Sequence, residues 1–492
     1  MPATRVAAAK TEKTPPPAIT KPAKAATVRA WGFVPGRDIK AVHLANGLFR
    51  ELCGGLAADV SLLKTVVASR RGDNPKPAYQ VQSNPDFSRA VELRAGLSQQ
   101  ATERAVDRLR ATLDSVLNQD AAFYAAVKND ASTLTFTHRQ HLTADKSDMQ
   151  AGRLLAHVLL ADPDQRAVHQ LREALNQPTD LIYRLTAPLL KRLPPPAPLL
   201  LGLDDPVEEA VAKRLAASCV LSAWQQSFAL LTRHASTLDK PALLQRAGTL
   251  AGMGLWLHLY NSGAAVCQPL LLCADRPLAM VREASRRTLA LARRRLRATF
   301  TAALAMELEQ SGEHEMTADQ YRQWLPLQVK KKDAARCELE FDKEIMARRS
   351  PFEAAVRALT TPALKAAGSI SAEECAGSLG RRLGLQWPRG KGGGERYLLP
   401  VAAVYDALVP ALVKPDERIA AEEFWERAYT QFGFVCGVNL PDDFDRLAAV
   451  GVRGGLSPAH LQANARAVLE ELRRLGYART YADEVTLISP SW

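Results

Sequence analysis

Arginine and asparagine side chains can read guanine and adenine edges through paired hydrogen bonds, and one stretch near the end of this chain is rich in both. Between Ser457 and Gly476 stand His460, Gln462, Asn464, Arg466, Arg473 and Arg474, with Arg479 and Tyr481 following at a distance suited to phosphate contact. A second run carries Arg282, Arg286, Arg293 and Arg297. At 100° per residue these four fall on one side of a helix, where they could track a phosphate backbone. The competing reading of that stripe is a solvated face, or one that pairs with acidic neighbours. Acids also stand beside the first group, at Glu470, Glu471, Asp483 and Glu484, and a duplex would repel them.

Catalytic patterns are lacking. His138 and His141 have an H-x-x-H spacing, but no cysteine or carboxylate completes a ligand set, so no metal site is expected. His258 lies in the apolar run 255–260 and reads as a core histidine with its hydrogen bonds satisfied. The Gly390-Lys391-Gly392-Gly393-Gly394 run has neither the spacing nor the following Ser or Thr of a phosphate-binding loop, and it reads as a flexible loop. Glu338, Glu340, Asp342 and Glu344 lack the strand-borne E-x-K spacing of a nuclease metal site. The seven cysteines include no CxxC pair and read as reduced thiols that serve as small core residues. No cofactor is expected.

The elements that must position these residues are helices. Ala, Leu and Arg are abundant and strong helix formers, and aromatics make up only 6 % of 492 residues. Apolar residues recur at helical spacing over 41–56, 88–130, 148–192, 206–235, 241–259, 277–311 and 351–415. Between them lie a polar loop at 72–87, a strongly charged segment at 312–350, and a short apolar run at 268–273 that suits a buried strand. A proline cluster at 193–198 is the best internal break. Residues 1–28, with Arg5, Lys10, Lys13, Lys21 and Lys24 against the single acid Glu12, read as a disordered basic tail, either solubilising or a non-specific nucleic-acid contact. The expected division is a tail at 1–28, a helical domain at 29–193, a second at 199–415, and a small C-terminal domain at 420–492.

In that last segment the order of elements is informative. A helix carrying Phe424, Trp425, Ala428 and Phe432 stops at Gly433, and a short helix follows around Phe444 and Leu447. Ser457-Pro458 then supplies an N-cap and a first-turn proline to a third helix, whose apolar stripe is Leu461, Ala465, Val468, Leu469, Leu472 and Leu475. Gly476 ends it, and 477–480 with 485–488 form a hairpin pattern. Three helices and a hairpin resemble a winged helix. That resemblance implies a third helix lying in the major groove and a wing on the backbone, or alternatively a module that docks on protein. The segments 254–294 and 429–488 also resemble, in texture, large accessory proteins of bacterial multi-gene anti-phage systems of the methylation-associated, BREX-like and DISARM-like kinds. This second resemblance implies a process, antiviral defence, and no reaction.

The net charge of +12 is compatible with nucleic acid without requiring it. No apolar run reaches the roughly 18 residues of a membrane span. The sequence therefore predicts a mainly α, multi-domain, cytoplasmic protein without catalytic activity. It is expected to act as a DNA-associated accessory subunit that meets double-stranded DNA and other subunits of one system. The alternative is a helical scaffold that binds proteins through the winged helix. An enzyme whose site carries no recognisable motif is the third reading.

Overall fold

A helical stretch that is apolar on every side is buried, in a protein core or a membrane, and the second half of one central helix is such a stretch here. The structure, a computed structural model, describes residues 17–36, 39–60, 63, 104, 108, 131–177, 181–187, 190, 193–194, 218–390, 395–452 and 454–491. The helical pattern at 88–130, the loop at 72–87, most of the proline cluster and the start of the 206–235 helix fall outside these residues. What is described is mainly α-helical. It divides into two units, one drawn from Met1–Arg29 and Phe300–Ser371, the other from Ala30–Thr299 and Ala372–Trp492.

In chain order the helices are α1 (Thr20–Trp31), α2 (Ala41–Leu52), α3 (Ala151–Leu160), α4 (Arg166–Asn176), α5 (Leu181–Thr186), α6 (Cys219–Thr232) and α7 (Lys240–Asn261). Strand β1 (Leu270–Leu271) precedes α8 (Ala279–Gln310), α9 (Ala318–Gln328), α10 (Lys331–Met346), α11 (Pro351–Ala367) and α12 (Ala372–Arg382). Next come β2 (Gln386–Trp387), β3 (Tyr397–Leu398), α13 (Ala402–Leu412), β4 (Ile419–Ala420), α14 (Ala421–Phe432) and β5 (Phe434–Val435). The chain closes with α15 (Asp442–Ala449), α16 (Pro458–Arg474), β6 (Ala478–Thr480) and β7 (Thr486–Ile488).

The smaller unit contains α9, α10 and α11, which pack on one another, together with most of α1 and the last third of α8. Tyr321, Leu325, Phe341 and Leu359 are buried there. The basic tail expected over 1–28 needs correction where it is described. Residues from Thr20 onward form α1, with Ile19, Ala23 and Ala26 buried, and the Ile19 N–H donates to the Gln328 carbonyl. Small alanines at helical spacing supply a face that composition alone does not reveal. The charged segment 312–350 carries α9 and α10.

In the larger unit α7 is central. Asp239 caps its first turn, accepting from the Ala242 N–H at 2.7 Å, and every residue from Leu250 to Asn261 is buried. Helices α2, α6, α12 and α13 pack around it. Trp224 of α6 lies against Gly254 and donates its indole N–H to the Leu250 carbonyl at 2.9 Å. Any Cβ at position 254 would meet the Trp224 ring at 2.1 Å, so the glycine is a packing requirement. His258 is buried, and its Nε2 lies 3.1 Å from the Trp31 carbonyl oxygen.

The strands are short and tie distant parts of this unit together. The 268–273 run does hold a strand: β1 pairs in parallel with β5, Leu270 opposite Phe434. Strands β2 and β3 are antiparallel neighbours on either side of 388–395. Strands β4, β7 and β6 form one antiparallel sheet in that order. Gly433, at φ +74°, ends α14 and turns the chain into β5; a non-glycine residue would be strained there.

Candidate functional site

Helix α16 begins where the Ser-Pro pair predicts. Ser457 caps it through a reciprocal box, its Oγ accepting from the His460 N–H while His460 Nδ1 accepts from the Ser457 N–H. His460 is thus a capping residue, half-buried, rather than one presented outward. Leu461, Ala465, Val468 and Leu472 are buried, with Leu461 in a core that includes Leu271, Val281 and Val435. The opposite face holds Gln462, Arg466, Glu470, Arg473 and Arg474, all exposed.

Asn464 does not belong to that face. It is 5 % exposed, and its amide is spent on backbone: Nδ2 donates to the Leu272 and Cys436 carbonyls at 2.9 Å each, and Oδ1 accepts from the Ala274 N–H at 3.0 Å. A side chain committed in this way cannot reach a base, so the expected base-reading role is corrected to a structural one. The signal lay in the spacing, because position 464 falls three after Leu461 and four before Val468.

The remaining arginines differ in how committed they are. Arg473 donates to Glu470 at 2.7 Å and to the Thr480 hydroxyl, and Arg474 is paired with Glu471 at 2.7 Å. Arg466 is exposed on the same face. Arg479 is exposed on β6, and Tyr481 and Val485 follow at the hairpin tip, 45 % and 44 % exposed. The hairpin base is anchored by Tyr477, whose hydroxyl donates to Asp406 at 2.8 Å and accepts from Arg246.

The four arginines of α8 share a helix side but not a site. Arg282 is exposed, and Arg286 lies 3.5 Å from Glu283. Arg287, next to them, also pairs with Glu283 and donates to the Gly454 carbonyl in the turn before α16. Asp275 acts electrostatically on Arg474, and Tyr397 senses Asp275, Arg282 and Arg286 together. The start of α8 therefore borders the turn that leads into α16. Arg293 instead adjoins the buried Tyr260, beside Arg396, whose guanidinium holds its proton less tightly than usual because of burial and the nearby Arg381 and Arg293. Arg297 is held by Glu373 through two hydrogen bonds at 3.0 and 3.2 Å. A single phosphate-tracking stripe from 282 to 297 is thus not what the packing builds.

The histidine pair of 138–141 is buried and occupied. His141 lies 2.7 Å from the hydroxyls of both Thr137 and Thr186, and His138 stacks on Tyr183 while accepting from the Gln140 N–H. Burial pushes His138 down to about 4 and His141 down to about 3, so both rings are neutral at ordinary pH. Among the described residues no group of three His, Cys, Asp or Glu could hold a metal ion, and no helix is long and apolar enough to cross a membrane. The acids of 338–344 lie on α10, where Asp342 pairs with Arg322. Lys391–Gly394 lies outside the described residues.

No protein-family model matches the chain, and a search of curated proteins finds no match.

Proposed function

We propose that the chain is a non-catalytic, DNA-associated subunit and that duplex DNA lies against the exposed face of α16 with the adjoining start of α8. The observation that carries this reading is the exposed row Gln462, Arg466, Arg473 and Arg474 on one face of α16, close to the turn where Arg287 of α8 donates to the Gly454 carbonyl. The strand order β4–β7–β6 behind α14 and α16 suits a winged helix, with β6 and β7 as the wing. Contact to phosphate would come from the arginines, and contact to base edges from the exposed Gln462 and Arg466. The resemblance to anti-phage accessory proteins would give such binding a context in which foreign DNA is the target.

One observation favours protein docking instead. Arg473 and Arg474 are already paired with acids, and the hairpin tip exposes Tyr481 and Val485, a mixture typical of protein-binding surfaces. Fluorescence anisotropy on a labelled random duplex across a salt series separates the two. On the DNA reading, affinity falls with salt at a slope near −0.9 per phosphate contact, and the Arg466→Ala, Arg473→Ala, Arg474→Ala triple variant flattens that slope. Absence of binding at low salt would remove DNA and leave the docking surface.

A further inference from the structure

We propose that Cys219 is a peroxide-reactive thiol and that Cys267 resolves it to a reversible intramolecular disulfide. The two sulfurs are 3.4 Å apart although 48 residues separate them in sequence. Cys219 is the first residue of α6, and Ser218 caps that helix by accepting from the Leu221 N–H. The amide groups and dipole of a helix start favour a thiolate at this position. Three further groups act in the same direction. The Cys267 sulfur lies within hydrogen-bond reach of the Cys219 sulfur, the Val220 N–H points to it, and Arg295 supplies a positive charge. Arg295 is itself fixed by bonds to the Asn261 side chain and the Val266 carbonyl.

The contrast with the other thiols gives selectivity. Cys53, Cys273, Cys337, Cys375 and Cys436 are buried, and burial pushes each of them up. Cys219 alone is partly open to solvent, and its contact with Cys267 holds its thiol below the usual range. Cys267 is pushed up beside it, which suits the partner that keeps its proton and donates. A cleft of about 700 Å³, lined by Cys267, Gln268, Arg295, Asp445 and Arg446, opens next to the pair.

The chemistry balances with a hydroperoxide as oxidant. The Cys219 thiolate attacks a peroxide oxygen, the O–O bond breaks, and the departing hydroxide takes a proton to become water. The resulting sulfenic acid is then attacked by the Cys267 sulfur, which releases its proton as the S–O bond breaks and a second water leaves. Two thiols and one hydrogen peroxide become one disulfide and two waters. Closing from 3.4 Å to a bond of roughly 2.05 Å takes a small side-chain rotation.

The test uses the full reduced chain treated with hydrogen peroxide, then maleimide, and mapped by mass spectrometry. A Cys219–Cys267 cross-linked peptide that dithiothreitol reverses is expected. The Cys267→Ser variant should instead hold a dimedone-trapped sulfenic acid on Cys219. Alkylation of the untreated wild-type chain gives a readout that does not depend on a variant folding, and Cys219 should react first and at the lowest pH. Oxidation falling on another cysteine, or a Cys219 that alkylates no faster than the buried thiols, overturns the proposal.

Discussion

Replacing Asn464 by alanine strands three backbone groups in the interior. The Ala274 N–H and the Leu272 and Cys436 carbonyls each lose the partner that the amide supplies. A hydrogen bond contributes about 1 kcal/mol net, and a buried group left without one costs about 1–3 kcal/mol. Three together cost at least about 3 kcal/mol, a large share of the stability of an ordinary domain. The loss should be read as a shift in the urea midpoint by tryptophan fluorescence, with Arg466→Ala as the surface control, expected within about 0.5 kcal/mol of wild type. At temperatures where both remain folded, Asn464→Ala should bind duplex DNA as wild type does. A shift below 1 kcal/mol combined with a loss of DNA affinity would refute the structural role and return Asn464 to base reading.

Three further outcomes follow from the geometry. Gly254→Ala must displace the Trp224 ring and its bond to Leu250, which should cost about 2–4 kcal/mol and change the near-ultraviolet circular dichroism. Glu417 is held down to about 2, against an ordinary 4.5, by the Arg427 guanidinium at 2.8 Å. Its contribution is therefore complete above pH 4.5 and lost as pH falls toward 2, so the difference in unfolding midpoint between wild type and Glu417→Gln should close over that window and stay constant above it. Oxidation of the Cys219–Cys267 pair closes a loop of 48 residues and should raise stability by roughly 2–4 kcal/mol, seen as a higher melting temperature that dithiothreitol reverses.

Much of the helical framework is legible in the residues. Apolar spacing locates α2, α3, α4, α7 and α8, and the Ser457-Pro458 pair and Gly433 mark helix ends within a residue of where they fall. The two-residue strands β4 and β5 carry no periodicity of their own, because each is defined by a distant partner. The same limit applies to the site. Helical angle puts Arg282, Arg286, Arg293 and Arg297 on one side, but what each meets depends on which helix packs there, Tyr260 of α7 for one and Glu373 of α12 for another. Asn464 is the exception, since its spacing among Leu461 and Val468 already pointed inward. Nothing in the spacing of Cys219 and Cys267 foretells that they meet.

The β1–β5 pair also sets a clock on synthesis. Leu270 and Leu271 leave the ribosome roughly 160 residues ahead of the strand that covers them, which at about 5–20 residues per second is on the order of 10–30 s. Asn464, which completes the seal, comes 190 residues after Ala274. For that interval the edge of Leu270-Leu271 that faces β5 lacks its strand partner, and such an edge is a template for pairing with other nascent chains. Slower elongation between codons 275 and 434 should therefore lower the soluble yield of the protein.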